Sequence, residues 1–154
     1  MFSHPDDHRF MKRAIELALA AEQKGNLPIG AVITLNNEII AEGYNSIFVP
    51  VYNPGLHAEM TALDRIPEGL WKSSGEMTCY TTLEPCCMCF GRLLLSGTGR
   101  IVFGSIDPEG GAGCLISHLP KFFSKENIPQ WEGPVMPGEC DALFQRAWAM
   151  FCNK

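Results

Sequence analysis

The chain has 154 residues, 46% of them hydrophobic and 19% charged, with a formal net charge of −5. This suits one compact domain, expected over residues 1–154, that buries roughly 70% of its unfolded surface without help from disulfides. The acidic balance argues against a large nucleic-acid surface, which needs clustered Lys and Arg, though it leaves room for a small basic patch. No apolar run approaches the roughly 20 residues of a membrane helix.

In chain order, Pro5 to Lys24 reads as an amphipathic helix. Phe10, Met11, Ala14, Leu17, Ala18 and Ala21 recur at helical spacing, and Gly25 stops it. Gly30–Leu35 and Glu38–Gly43 read as two strands joined at Asn36-Asn37, because Asn tolerates the positive φ of tight hairpins. Ser46 to Leu56 holds two prolines and a glycine and reads as loop. A helix then runs from His57 to about Arg65. Met77 to Thr82 is a strand, Cys86 to Ser96 a helix, and Arg100 to Gly104 a short strand. This βαβ unit makes its two strands parallel. Gly110-Gly111-Ala112-Gly113 reads as a plain loop, since the spacing of a phosphate-binding loop is missing around it. Ser117 to Gln130 has room for a short helix. The last helix spans about Glu139 to Phe151, with Leu143, Phe144, Ala147 and Phe151 on one face.

Seven cysteines is an odd number. The segment Met1 to Asp7 is polar and acidic, unlike a secretory leader. The expectation is a reducing cytoplasm with some cysteines on metal rather than a disulfide framework. Cys86 and Cys89 are three positions apart at a helix start, so both sulfurs face one point. The helix N-terminus favours thiolates, and zinc favours such sulfurs together with imidazole nitrogen. Cys79, Cys87, Cys114, Cys140 and Cys152 read as small, partly buried residues.

Among four histidines, His57 supplies the best third ligand. His4 and His8 lie in a polar segment, and His118 has no ligand-like neighbour. A lone C-x-x-C also fits a redox pair or half of a structural site. A redox pair needs a thioredoxin-like context, which is missing, and a structural site needs a fourth protein ligand. Three ligands leave a position for water, which is the catalytic arrangement. Glu59 alone would read as a solvated first-turn carboxylate. Beside a metal-held water it can move a proton from water to a leaving amino group.

His57-Ala58-Glu59 with Pro85-Cys86-Cys87-Met88-Cys89 is the H-x-E and P-C-x-x-C signature of zinc deaminases. The chain resembles the cytidine and deoxycytidylate deaminase superfamily. It is most similar there to the tRNA adenosine deaminase branch and the related free-base deaminases. Pro28–Val32, His57–Met60, Thr82–Cys86 and Arg100–Gly104 carry the likeness. The resemblance implies an α/β fold of three layers, α/β/α, around a mixed five-stranded sheet. It implies zinc on His57, Cys86 and Cys89, and Glu59 as proton shuttle for attack by water on the ring carbon bearing the amino group. It implies substrate contacts from Asn45 and from the Ala58 N–H, with Asn45 equally readable as a turn residue. It also implies a homodimer.

Two stretches depart from the tRNA-acting branch. The end of the last helix, Ala147–Cys152, is nearly all apolar where that branch usually carries basic residues. Tyr52–Leu56 stands where the family commonly has Asp-Pro-Thr-Ala. With the net charge, these favour a small nucleobase or nucleoside as substrate, with tRNA adenosine as the alternative. A non-catalytic zinc-stabilised interaction protein is a third reading, against which Glu59 argues. The C-terminal aromatics either pack in the core or cap a pocket over a flat ring.

Overall fold

The computed structural model describes residues 4–123 and 127–153. Among the described residues there are four α-helices: α1 (Asp7–Gln23), α2 (Ala58–Asp64), α3 (Cys87–Leu95) and α4 (Pro137–Cys152). The same residues form five strands: β1 (Gly30–Leu35), β2 (Glu38–Tyr44), β3 (Thr78–Leu83), β4 (Arg100–Ser105) and β5 (Gln130–Glu132). The strand order is β2-β1-β3-β4-β5. β1 runs antiparallel to both neighbours, and β3, β4 and β5 are mutually parallel, so the sheet is mixed as expected. No helix among the described residues is long and apolar enough to cross a membrane.

Strand periodicity sorts the core into two layers. Val32, Tyr80 and Val102 point to one face, where Phe10, Met11, Ala14 and Leu17 of α1 and Cys140 of α4 cover them. Ala31, Ile33, Cys79 and Ile101 point to the other, under Ala58, Ala62 and Leu63 of α2 and Phe90, Leu93 and Leu94 of α3. β1 is therefore buried along its whole length. The hairpin forms at Asn36 and Asn37, both at positive φ (51° and 64°). Gly43 lets α2 settle on β2. A Cβ there would stand 2.4 Å from the Ala58 carbonyl oxygen and 2.5 Å from the Ala62 nitrogen.

Several expectations change in detail. The last helix begins at Pro137, not Glu139, because proline at the first helical position forgoes an N–H that has no intrahelical acceptor anyway. Glu68–Glu76 and Ala112–His118 form 3-10 stretches that helix or strand periodicity does not announce. The short helix expected within Ser117 to Gln130 overlaps the second of these only at its end, and Ser124 to Glu126 lie outside the described residues. The fifth strand follows from the family likeness alone. Its three residues are too few to show alternation, and Trp131 anchors it against Phe90 and Phe103, with ring centroids 5.2 and 5.4 Å away. All seven cysteines are free thiols. Cys79 and Cys140 are buried, whereas Cys87, Cys114 and Cys152 are exposed rather than partly buried.

At the opposite end of the sheet from the α2 and α3 N-termini, Arg100 forks onto Asp7 (2.7 and 2.8 Å) and also meets Glu132. Tyr80 donates to the same Asp7 carboxylate at 2.8 Å. Asp7 is fully buried. Burial opposes its ionisation, but the hydrogen bonds from Arg100 and Tyr80 outweigh it and hold the carboxyl below its ordinary value. This network ties α1 to β3, β4 and β5.

Candidate active site

β3 and the parallel crossover through α3 place Cys86 and Cys89 beside α2. Cys86 is the residue before α3, in extended conformation (φ −71°, ψ 172°), and Cys89 lies in the first turn. His57 has the same position before α2 (φ −70°, ψ 159°). Two helix N-termini thus meet, and their unpaired N–H groups and dipoles favour anionic sulfur between them. His57 Nδ1 lies 3.6 Å from each sulfur. A tetrahedral zinc with ordinary Zn–S and Zn–N bonds separates sulfur from nitrogen by about 3.6 Å. The donor set therefore fits zinc in both chemistry and spacing, and it is the group among the described residues whose ligand atoms converge this way.

The three groups bias one another's protonation. Hydrogen bonding with Cys86 raises the His57 pKa. Hydrogen bonding with Cys89 and then His57 holds Cys86 below the usual thiol range, and Cys89 is pushed up by Cys86, by burial and by Glu59. Glu59, 4% exposed, sits directly behind. Thr81 Oγ1 donates to Glu59 Oε1 at 3.0 Å, and Cys89 Sγ lies 3.4 Å from Oε2. Burial raises the Glu59 pKa, so the carboxyl takes up a proton more readily than a solvated glutamate.

Asn45, His57, Ala58, Glu59 and Cys86 line one cavity of about 160 Å³. That is below the roughly 300–1,000 Å³ of drug-sized ligand pockets and suits one ring. Cys89 is buried and does not line it. Asn45 makes a turn contact and also lines the cavity. Its Oδ1 accepts the Ile47 N–H at 3.3 Å, as a turn residue would. Its Nδ2 is buried without a hydrogen-bond partner and belongs to the cavity wall. Such an orphan donor is costly unless a ligand accepts from it. Ala58 opens α2, where a helical N–H has no intrahelical acceptor.

Of the two readings of the C-terminal aromatics, the structure favours the pocket over the core. Phe144, Trp148 and Phe151 of α4 form a ridge along the cavity mouth, with Trp148 46% and Phe151 58% exposed. Leu143 and Ala147 of the same helix do pack inward. The helical spacing was legible, but it did not say which half faces solvent. Glu84 and Asp107 also line the cavity. Thr81, which orients Glu59, had a signal available: a hydroxyl on the buried strand face that otherwise carries Cys79.

The mixed five-stranded sheet between its helices is that of a cytidine deaminase-like fold, and it brings a His–Cys–Cys set beside a buried carboxylate. The chain belongs to the family described as the cytidine and deoxycytidylate deaminase zinc-binding region, whose model matches residues 4–105. It is 43% identical over 139 residues to a tRNA-specific adenosine deaminase of Bacillus subtilis (strain 168), covering 89% of this chain and 85% of the relative. It is also 43% identical over 144 residues to a tRNA-specific adenosine deaminase of Buchnera aphidicola subsp. Baizongia pistaciae (strain Bp), covering 91% and 86%. In three dimensions it matches a chain from structural studies of A-to-I editing by tRNA:A34 deaminases at the wobble position of transfer RNA. The TM-score is 0.76 at 27% identity, covering 88% of this chain and 98% of that one.

Proposed function

We propose that the chain is a zinc-dependent deaminase acting on adenosine within tRNA at the wobble position. One observation carries the chemistry: a three-ligand His–Cys–Cys set and Glu59 meet at the foot of a ring-sized cavity into whose wall an unpaired amide donor is built. The substrate rests on relatives 43% identical over nearly the whole chain, which bear that activity in their names. They weigh more than the net charge of −5, because overall charge does not describe the surface around one cavity. The preference for a small nucleobase or nucleoside gives way accordingly.

His57, Cys86 and Cys89 would hold zinc, which when bound would supply a Lewis-acid position for activating water near neutral pH. The remaining work belongs to the chain. Asn45 Nδ2 and the Ala58 N–H hold the ring by its acceptor atoms. Glu59 takes one proton from water and delivers it to the ring nitrogen, then takes the second proton from the hydroxyl now on the ring carbon and delivers it to the departing amino group. Water is consumed, the C–N bond breaks, and ammonia leaves a carbonyl behind. Thr81 fixes the Glu59 carboxylate in the orientation both transfers need.

One observation favours a second reading, a free base or nucleoside: the mouth is rimmed by the apolar ridge Phe144, Trp148 and Phe151 rather than by cations. Ammonia release is to be measured across free bases, nucleosides, nucleotides and an anticodon stem-loop, each at several salt concentrations. The expected result is turnover of the stem-loop that weakens as salt rises. Strong, salt-independent turnover of a free base with an inert stem-loop would favour the second reading.

A further inference from the structure

The glycine-rich stretch Gly110–Gly113 lacks the spacing of a phosphate-binding loop, and its close approach to one side chain gives it a different task. Glu84, directly after β3, turns its carboxylate into this loop. Oε2 accepts the Asp107 N–H at 3.0 Å, and Oε1 accepts the Gly113 N–H at 3.1 Å. The glycines are what let the backbone come so near. A Cβ on Gly111 would stand 2.4 Å from the Glu84 carboxyl carbon, and one on Gly113 would stand 2.7 Å from Oε1. The same loop returns to the metal-ligand segment. The Ala112 N–H donates to the Pro85 carbonyl at 2.9 Å, and Cys86 bridges to Gly111. Asp107 caps the loop from within, accepting from the Glu109 and Gly110 N–H groups at 3.1 and 2.9 Å, and it lines the cavity.

We propose that Glu84 is a positioning residue: by holding the Asp107 and Gly113 N–H groups it locks the glycine-rich loop against Pro85-Cys86, and so sets the placement of one metal ligand and one cavity wall together. A carboxylate accepting two backbone N–H groups makes strong, directional bonds. Losing it leaves both donors unpaired and lets the loop drift from Cys86. Outer groups that orient metal ligands typically contribute 10–100-fold to metal affinity or activity. The role in substrate binding rests on the cavity being the deaminating site; the role in metal binding does not.

The test is zinc affinity by chelator competition on folded protein, together with kcat and KM for the substrate found above. Glu84→Ala is expected to weaken zinc binding about 10–100-fold and to raise KM more than it lowers kcat. Glu84→Gln, which keeps one acceptor, should fall between parent and Glu84→Ala. Gly113→Ala presses on the clamp from the other side and should weaken zinc in the parent. It should cost less once Glu84→Ala has removed the oxygen that its Cβ meets. Should Glu84→Ala unfold, Glu84→Gln and Gly113→Ala carry the same test. Parent-like zinc affinity in these variants would overturn the proposal. So would a Gly113→Ala effect of the same size with and without the Glu84 carboxylate. A parent that binds zinc but releases no ammonia would defeat the functional reading and leave the zinc test of Glu84 standing.

Discussion

Glu59→Gln is expected to fold, to bind zinc, and to lose ammonia release by about 10²–10⁴-fold, the usual contribution of a positioned general acid–base. The side chain is 4% exposed and held by Thr81, so the nearly isosteric amide fits the same space. Glu59 is not among the converging ligand atoms, so the metal set remains complete. What the amide cannot do is accept a proton from water and pass it on. Ammonia release measured beside metal content separates the two roles. Full activity in the variant would remove Glu59 from the mechanism, and loss of metal would make it a structural support instead.

Arg100→Met is expected to destabilise the fold by about 3–5 kcal/mol, because it strands a buried carboxylate. Asp7 is fully buried, and Arg100 supplies two of its hydrogen bonds. For a chain of this size the loss corresponds to a fall in Tm of roughly 6–20 °C. The pH dependence has a definite sign. The folded-state pKa of Asp7 lies below its ordinary value. Its contribution is therefore complete above the unfolded carboxylate pKa of about 3.9 and is lost as pH falls toward the folded value. The gap between parent and variant should be widest near neutral pH and narrow in acid. A Tm series against pH checks this. A gap independent of pH would mean that the guanidinium serves packing rather than pairing.

The candidate site was the most legible part of the molecule. His57, Glu59, Cys86 and Cys89 lie in two short motifs whose spacing survives folding, since each motif sits at the start of a helix and the turn of the helix fixes which side chains share a face. The core helices and the first four strands were legible for the same local reason. Legibility ended where position depends on distant contacts. β5 is specified by Trp131 packing on Phe90 and Phe103, not by its own three residues. The 3-10 stretches carry no period that stands out from loop. The rim was ambiguous because Phe144, Trp148 and Phe151 share a helix with Leu143 and Ala147, and only the packed sheet decides which of them face inward. Glu84 stood within a recognised stretch, but its partners, Asp107 and Gly113, lie more than twenty residues away.

The central claim is that His57, Cys86 and Cys89 hold the one zinc on which deamination depends. It is tested most directly by stripping the protein of metal with a chelator, removing the chelator, and titrating zinc back while following ammonia release. The account predicts activity that rises in proportion to bound zinc and saturates at about one ion per chain, as a single three-ligand set requires. Full activity in folded protein without metal would contradict it.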